Sequence, residues 1–253
     1  MTERAQRLSL ATTGLVTLLV AWTSVVAAGV VPQSSVPYPW QVAAQFPMLV
    51  VDGEFLASLS DTVGSWLAAL ILSSVAAIVA GVLIGTVSWL EKPATLAVNV
   101  FRSIPATALI PIAILFFGLG AQMKISVAVY ATFWIVLINT VYGVASTEPM
   151  RRDAARSMQW STLRTHAYVT LPSALPSIVT GIRVASGVAL VVLVSAELLG
   201  AKSGLGTLMV QYQQALRLDV VYAMLLVIGL VGTALHSGLI RVEKSSLKWV
   251  SHV

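Results

Sequence analysis

Apolar residues run along this chain in long stretches broken by short polar segments. Stretches free of Asp, Glu, Lys and Arg cover Leu8–Val31 (24 residues), Thr62–Leu90 (29), Ser103–Met123 (21), Ile125–Thr147 (23) and Val220–Ile240 (21). Each exceeds the roughly 18 apolar residues that a bilayer-crossing helix needs. A sixth stretch, Ser173–Leu199, is interrupted by Arg183 and carries Glu197 near its far end. The pattern predicts an all-α integral membrane protein of six transmembrane helices, at about 8–31, 62–90, 103–123, 125–147, 173–199 and 220–240, in one domain over residues 1–253. The first stretch is longer than the about 7–15 apolar residues of a cleaved signal, and no clear small-x-small site is followed by a soluble domain, so it reads as a retained helix.

Composition agrees. Only 10% of the 253 residues are charged and 57% are hydrophobic, against about 25% charged in an ordinary soluble domain. With no cysteine, thiol nucleophiles, thiolate metal sites and disulfides are excluded. Basic residues set the orientation. With the N-terminus cytoplasmic, twelve of the 15 Lys and Arg fall in inner segments and three, Lys124, Lys202 and Arg217, in outer ones. This bias places both termini inside. It accounts for the net charge of +5, which therefore does not speak for nucleic acid.

Catalytic motifs are missing. The chain has no GxxxxGK[ST], no HExxH and no GxSxG. Gly204-Leu205-Gly206 is a fragment of a glycine-rich pattern without a preceding strand, and it does not read as a phosphate cradle. His166, His236 and His252 are far apart and lack a carboxylate at metal-ligand spacing. No cofactor or metal is expected to bind this chain.

The segment Glu148–Pro172 is the longest polar stretch. Pro149 suits a first helical turn. Met158, Trp160 and Leu163 lie beside Arg152, Arg156 and Arg164, giving a short amphipathic helix before a break at Leu171-Pro172. From the residues alone, such a helix could simply rest on lipid headgroups.

Within the spans, Asn139, Arg183 and Glu197 are polar groups at membrane depth, where such residues face protein or water. They are candidates for the pathway or gate. Glu197 could equally anchor a helix end in the outer interface, and Asn139 could be an interhelical hydrogen-bond group. Arg183 and Glu197 are 14 residues apart, about 21 Å along a helix, too far to pair. Pro105 and Pro111 are expected to kink the third helix and shape a cavity. Gly81 and Gly85 read as a close helix contact.

Asp153-Ala154-Ala155, followed by Leu171-Pro172, resembles the EAA loop of binding-protein-dependent ABC importer permeases. More of the chain agrees with the sulfonate, taurine and nitrate permeases of that family. The matching residues are Arg102-Ser103-Ile104-Pro105, Ala108-Leu109-Ile110-Pro111, Phe117-Gly118-Leu119-Gly120, Asn139-Thr140, Leu171–Ile178, Ala196-Glu197, Ser203–Gly206 and Asp219-Val220-Val221. They lie between about Phe101 and Trp249. The resemblance implies a type I importer permease in a bacterial-type cytoplasmic membrane, with the segment 153–172 as a cytoplasmic coupling loop. Asp153, Ala154, Ala155, Arg156, Met158, Gln159, Trp160, Leu171 and Pro172 would engage an ABC ATPase, with Ala154, Ala155, Met158 and Trp160 toward its groove. ATP and Mg would sit in that partner. A second permease copy or a paralogue, and an external solute-binding protein or lipoprotein, would complete the assembly. A secondary transporter or channel not driven by ATP is the alternative. The chain departs from the family where Asp153 replaces Glu and Gln159 replaces the loop glycine. Gln159 must take a positive φ, at a cost of order 1 kcal/mol, or let the helix run on.

Overall fold

The computed structural model describes residues 3–32 and 34–246; Trp249 and His252 lie outside the described residues. All regular structure among them is helical. Four helices are long and apolar enough to cross a membrane: Gly53–Thr86, Ala121–Ala145, Thr162–Gly200 and Leu218–Lys244. A fifth crossing can come from Lys92–Phe101 with Ala106–Phe117, a pair bent by 75°, and Thr12–Ala27 is a shorter apolar helix. Among the described residues, length and composition thus give four crossings, or five with the bent pair.

The difference is concentrated in the third apolar stretch. The polar segment between the second and third apolar stretches lies in a 15-residue helix, α5 (Ser88–Arg102). Pro105 sits at the bend after it and opens a 3₁₀ turn, Ala106–Leu109. Pro111 does not kink a helix: it occupies the first turn of α6 (Ile110–Phe117), where its missing N–H is no loss. Gly118, at φ +68°, ends α6. Each proline and glycine thus marks an end rather than a flaw in one long helix.

The chain folds as two compact units, Met1–Ser58 with Leu208–Gly229, and Leu59–Thr207 with Leu230–Val253. In the first unit, α1 (Glu3–Ala27) is followed by two short helices, α2 (Pro39–Ala43) and α3 (Phe46–Val51). Trp22 donates from Nε1 to the Pro37 carbonyl at 3.1 Å, and its ring lies 6.1 Å from that of Tyr222. Tyr212 donates to Asp52 at 3.4 Å. Burial, and then the Asp52 charge, push the Tyr212 hydroxyl above its usual range, so it stays a donor. The outward side of α1 is apolar, with Leu10 and Leu18 well exposed, as lipid contact requires.

The second unit is built around α7 (Ala121–Ala145) and α10 (Leu171–Gly200). They run antiparallel, because Gly143 meets Ala174 and Ser177 while Gly181 meets Asn139. The part of α4 (Gly53–Thr86) within this unit runs parallel to α7. A Cβ on Gly81 would stand 2.7 Å from Thr140, and one on Gly85 would stand 2.7 Å from Val144. The pair is the close helix contact expected of it. Small residues let the backbones approach, the main attraction open to helices in lipid. Ala69, Ala77, Ala128, Ala185, Ala189 and Ala196 are fully buried at these contacts. Trp66 adds a buried hydrogen bond, 2.8 Å, to the Ser186 carbonyl.

Candidate functional site

The polar loop forms one short helix and a capped turn. Helix α8 (Pro149–Ser157) has Pro149 in its first turn, as expected. It ends in a Schellman motif: the Trp160 N–H donates to the Ala155 carbonyl at 3.1 Å, and the Gln159 N–H to the Arg156 carbonyl at 2.9 Å. Such a cap requires a left-handed residue, and Gln159 supplies it at φ +54°. Of the two ways to accommodate Gln for Gly, the chain takes the positive φ.

The break expected at Leu171-Pro172 does not occur. A single helix runs from Thr162 to Gly200. It passes through a π-helical turn at His166–Thr170 just before Leu171. The Pro172 ring would press on the carbonyl four residues back in a regular helix; the wider turn re-spaces that carbonyl. Trp160 folds back onto this helix, its ring edge-on to Tyr168 at 6.1 Å. The Arg164 guanidinium lies 4.5 Å above the Trp160 ring. Arg152 donates to the Val144 carbonyl and so caps α7.

This arrangement corrects the expected outward face of α8. Ala155 is 3% exposed and points into the fold, where α8 packs on the π turn; Trp160 is half-buried. Ala154 and Met158 do face outward, with Asp153, Arg156 and Gln159. Among the exposed apolar side chains are Met150 (74%), Met158 (66%) and Leu163 (81%). Ala155, Trp160, Tyr168 and Pro172 border a cavity of about 410 Å³.

The other candidates are dispersed. Asn139 donates to the carbonyl of Ile135 on its own helix, at 2.8 Å, and packs against Gly181. Arg183 pairs with Glu243 at 2.9 Å. Glu197 is not an interface anchor. It is 1% exposed and meets Lys124 at 2.7 Å, with the Lys124 side chain fully buried as well. Lys124, counted as an outer-loop charge, is thus a buried residue in the first turn of α7.

Around this pair lies a network that sequence reasoning missed. Lys124 also bonds Asp61 at 2.8 Å and the Ser203 carbonyl at 3.1 Å. Thr62 donates to Glu197 at 3.0 Å and accepts from the Leu205 N–H at 2.9 Å. The Gly206 N–H donates to Glu197 at 3.0 Å. The Glu197 carboxylate fills the place where Gly204, at φ +120°, would carry a Cβ. The glycine-rich turn is therefore a cradle, but for the chain's own carboxylate. One signal was available: Lys124 and Glu197 are lone charges of opposite sign in apolar surroundings, and each needs a partner.

Among the described residues, no group of three or more His, Asp or Glu could hold a metal.

Comparison with known proteins gives the frame. Residues 74–242 match the model of the family described as "Binding-protein-dependent transport system inner membrane component". The chain is 28% identical over 232 residues to the aliphatic sulfonates transport permease protein SsuC of Bacillus subtilis, covering 92% of this chain and 84% of that one. It is 30% identical over 247 residues to the taurine transport system permease protein TauC of Escherichia coli, covering 94% and 89%. A chain of the MetNI methionine ABC transporter, in an inward-facing form, superposes with a TM-score of 0.66 at 18% identity. That match covers 83% of this chain and 98% of the other, and shows the same fold. The chain belongs to the family of binding-protein-dependent transport system inner membrane components, and is a multi-pass transport permease of the ABC importer class.

Proposed function

We propose that this permease forms the solute path of an ATP-driven importer of small organic anions of the alkyl-sulfonate class, and couples to a separate cytoplasmic ATPase through the Glu148–Pro172 loop. The observation that carries the coupling role is the face of α8 and its turn. Met150, Met158 and Leu163 stand exposed beside Asp153 and Arg156 on a loop that packing and a Schellman cap hold in shape. An apolar centre with a charged rim is what a small, specific docking contact uses. Ala154, Gln159 and Arg156 complete that face. Ala155, Trp160, Leu171 and Pro172 hold it from behind.

Force applied to the loop would enter the helix that runs from Thr162 to Gly200, about 58 Å long at 1.5 Å per residue. That helix carries Asn139's neighbour Gly181, then Arg183, then Glu197, so a push at one end is delivered to the buried charges at the other. The partner ATPase holds ATP and Mg. A second permease, identical or paralogous, closes the path, and an external binding protein delivers solute. The basic bias of the sequence supports a cytoplasmic position for the loop and both termini. The sulfonate class is supported by the sulfonate and taurine permeases among the relatives.

Reconstitution with the ATPase and binding protein tests this reading. Uptake of taurine or an aliphatic sulfonate should require ATP. Met158→Asp with Leu163→Asp should abolish ATPase binding and uptake while the permease stays folded. Uptake without ATP, or normal coupling in the double variant, overturns it.

A further inference from the structure

Helix α5 is amphipathic in an unusual sense for a membrane protein. Lys92, Thr95, Asn99 and Arg102 recur at intervals of three or four and form one polar stripe. Trp89, Leu96 and Val100, on another side, are 75%, 68% and 55% exposed. Between the two faces, Ala94, Ala97 and Val98 are half-buried. In lipid the exposed apolar strip faces hydrocarbon, so the polar stripe must face protein or water. It borders a cavity of about 240 Å³ between the ends of α4, α5 and α7. Thr95, Asn99 and Arg102 form one wall of it, and Ile84, Leu137 and Tyr142 the other.

The cavity is large enough for several water molecules or one small organic anion. Its position is held firmly. Phe101 stacks on Trp134 at 5.5 Å, and the Tyr130 hydroxyl donates to the Phe101 carbonyl at 2.5 Å, which pins the end of α5 that carries Arg102. Other arginines of the chain are engaged: Arg183 with Glu243, Arg151 with Glu148, Arg156 with Asp153. Among the described residues, no acid lines the cavity beside Arg102. A guanidinium next to an amide and a hydroxyl suits the three oxygens of a sulfonate.

We infer that Thr95, Asn99 and Arg102 line a hydrated vestibule of the solute path, in which Arg102 contacts the anionic group of the passing solute. This rests on the importer reading above and names the contact it left open. The lipid-facing and water-facing sides of α5 then have one explanation.

The absence of cysteine allows a direct test on the full chain in phosphatidylcholine nanodiscs. Asn99→Cys is labelled with 2-sulfonatoethyl methanethiosulfonate, an anion, and with its trimethylammonium counterpart, a cation. Each rate is divided by that of the same reagent with 2-mercaptoethanol. The normalised ratio should favour the anion by about tenfold. It should fall toward unity with Arg102→Gln and persist with Arg102→Lys. Free ethanesulfonate should slow labelling of Asn99→Cys. The inference is overturned if Asn99→Cys does not react, if the anion is not preferred, if the preference survives Arg102→Gln, or if ethanesulfonate has no effect. Loss of the preference on moving to phosphatidylglycerol nanodiscs also overturns it, since the arginine then holds a lipid headgroup. None of these measurements needs ATP or transport, so a failed uptake assay sinks the importer reading alone, and a missing charge preference sinks this site alone.

Discussion

Lys124 Nζ lies 2.7 Å from Glu197 Oε1, and both side chains have no solvent exposure. The pair joins the start of α7 to the end of α10, 73 residues apart. Asp61, Thr62 and the Ser203–Gly206 turn supply the remaining hydrogen bonds. A buried ion pair is stable only when so completed.

Removing one partner should therefore be costly. Lys124→Met leaves Glu197 buried without its partner, and should destabilise the chain by about 3–5 kcal/mol. The double variant Lys124→Met with Glu197→Met should recover a large part of that loss. Unfolding in detergent, read as a double-mutant cycle, measures the coupling; additive losses would mean that the two residues act independently.

Gly204→Ala should destabilise by about 3 kcal/mol or more, because the new Cβ falls on the Glu197 carboxylate at a φ of +120°. Gly187→Ala is the control. Nothing lies within 4 Å of its added Cβ, so it should be neutral or stabilising by up to about 1 kcal/mol. Equal melting shifts for the two would contradict the cradle.

Gln159→Gly should raise stability by up to about 1 kcal/mol, since glycine reaches φ +54° without the steric cost. A drop in melting temperature would show that the Gln159 side chain contributes a contact larger than that cost.

Ala155→Asp and Met158→Asp should separate. Ala155 lies on the buried side of α8 and Met158 is exposed. The first variant should loosen the loop itself, seen as faster proteolysis near Arg156 in the isolated permease. The second should leave proteolysis unchanged and act only on ATPase binding. Identical proteolysis patterns would place Ala155 on the outer face after all.

Single-cysteine labelling checks orientation. Ser161 is exposed in the loop, so Ser161→Cys should resist an impermeant reagent added outside intact cells and react in inverted vesicles. Labelling from outside would reverse the topology.

The sequence by itself determined the class of this protein. Long charge-free stretches suit lipid, and there each backbone N–H and C=O must be bonded within its own segment, which makes them helical. Pro149 and the polar loop were also legible, because capping and local helix propensity depend on neighbours in sequence. The family motifs located the loop for the same reason. What tertiary structure alone decided depended on residues far apart. The third stretch, Ser103–Met123, looked like one span; proline and glycine signals within it were readable, but the 75° bend after α5 is set by how Phe101 stacks on Trp134 and how α6 packs on α7. The sequence put Ala155 on the outer face of α8, but the π turn at His166–Thr170 brings a surface against it. Lys124, Glu197 and Asp61 were each visible as isolated charges, yet no spacing rule links positions 61, 124 and 197. Their pairing is a consequence of helix register, fixed by small residues such as Gly143 and Gly181 that let α7 and α10 approach closely.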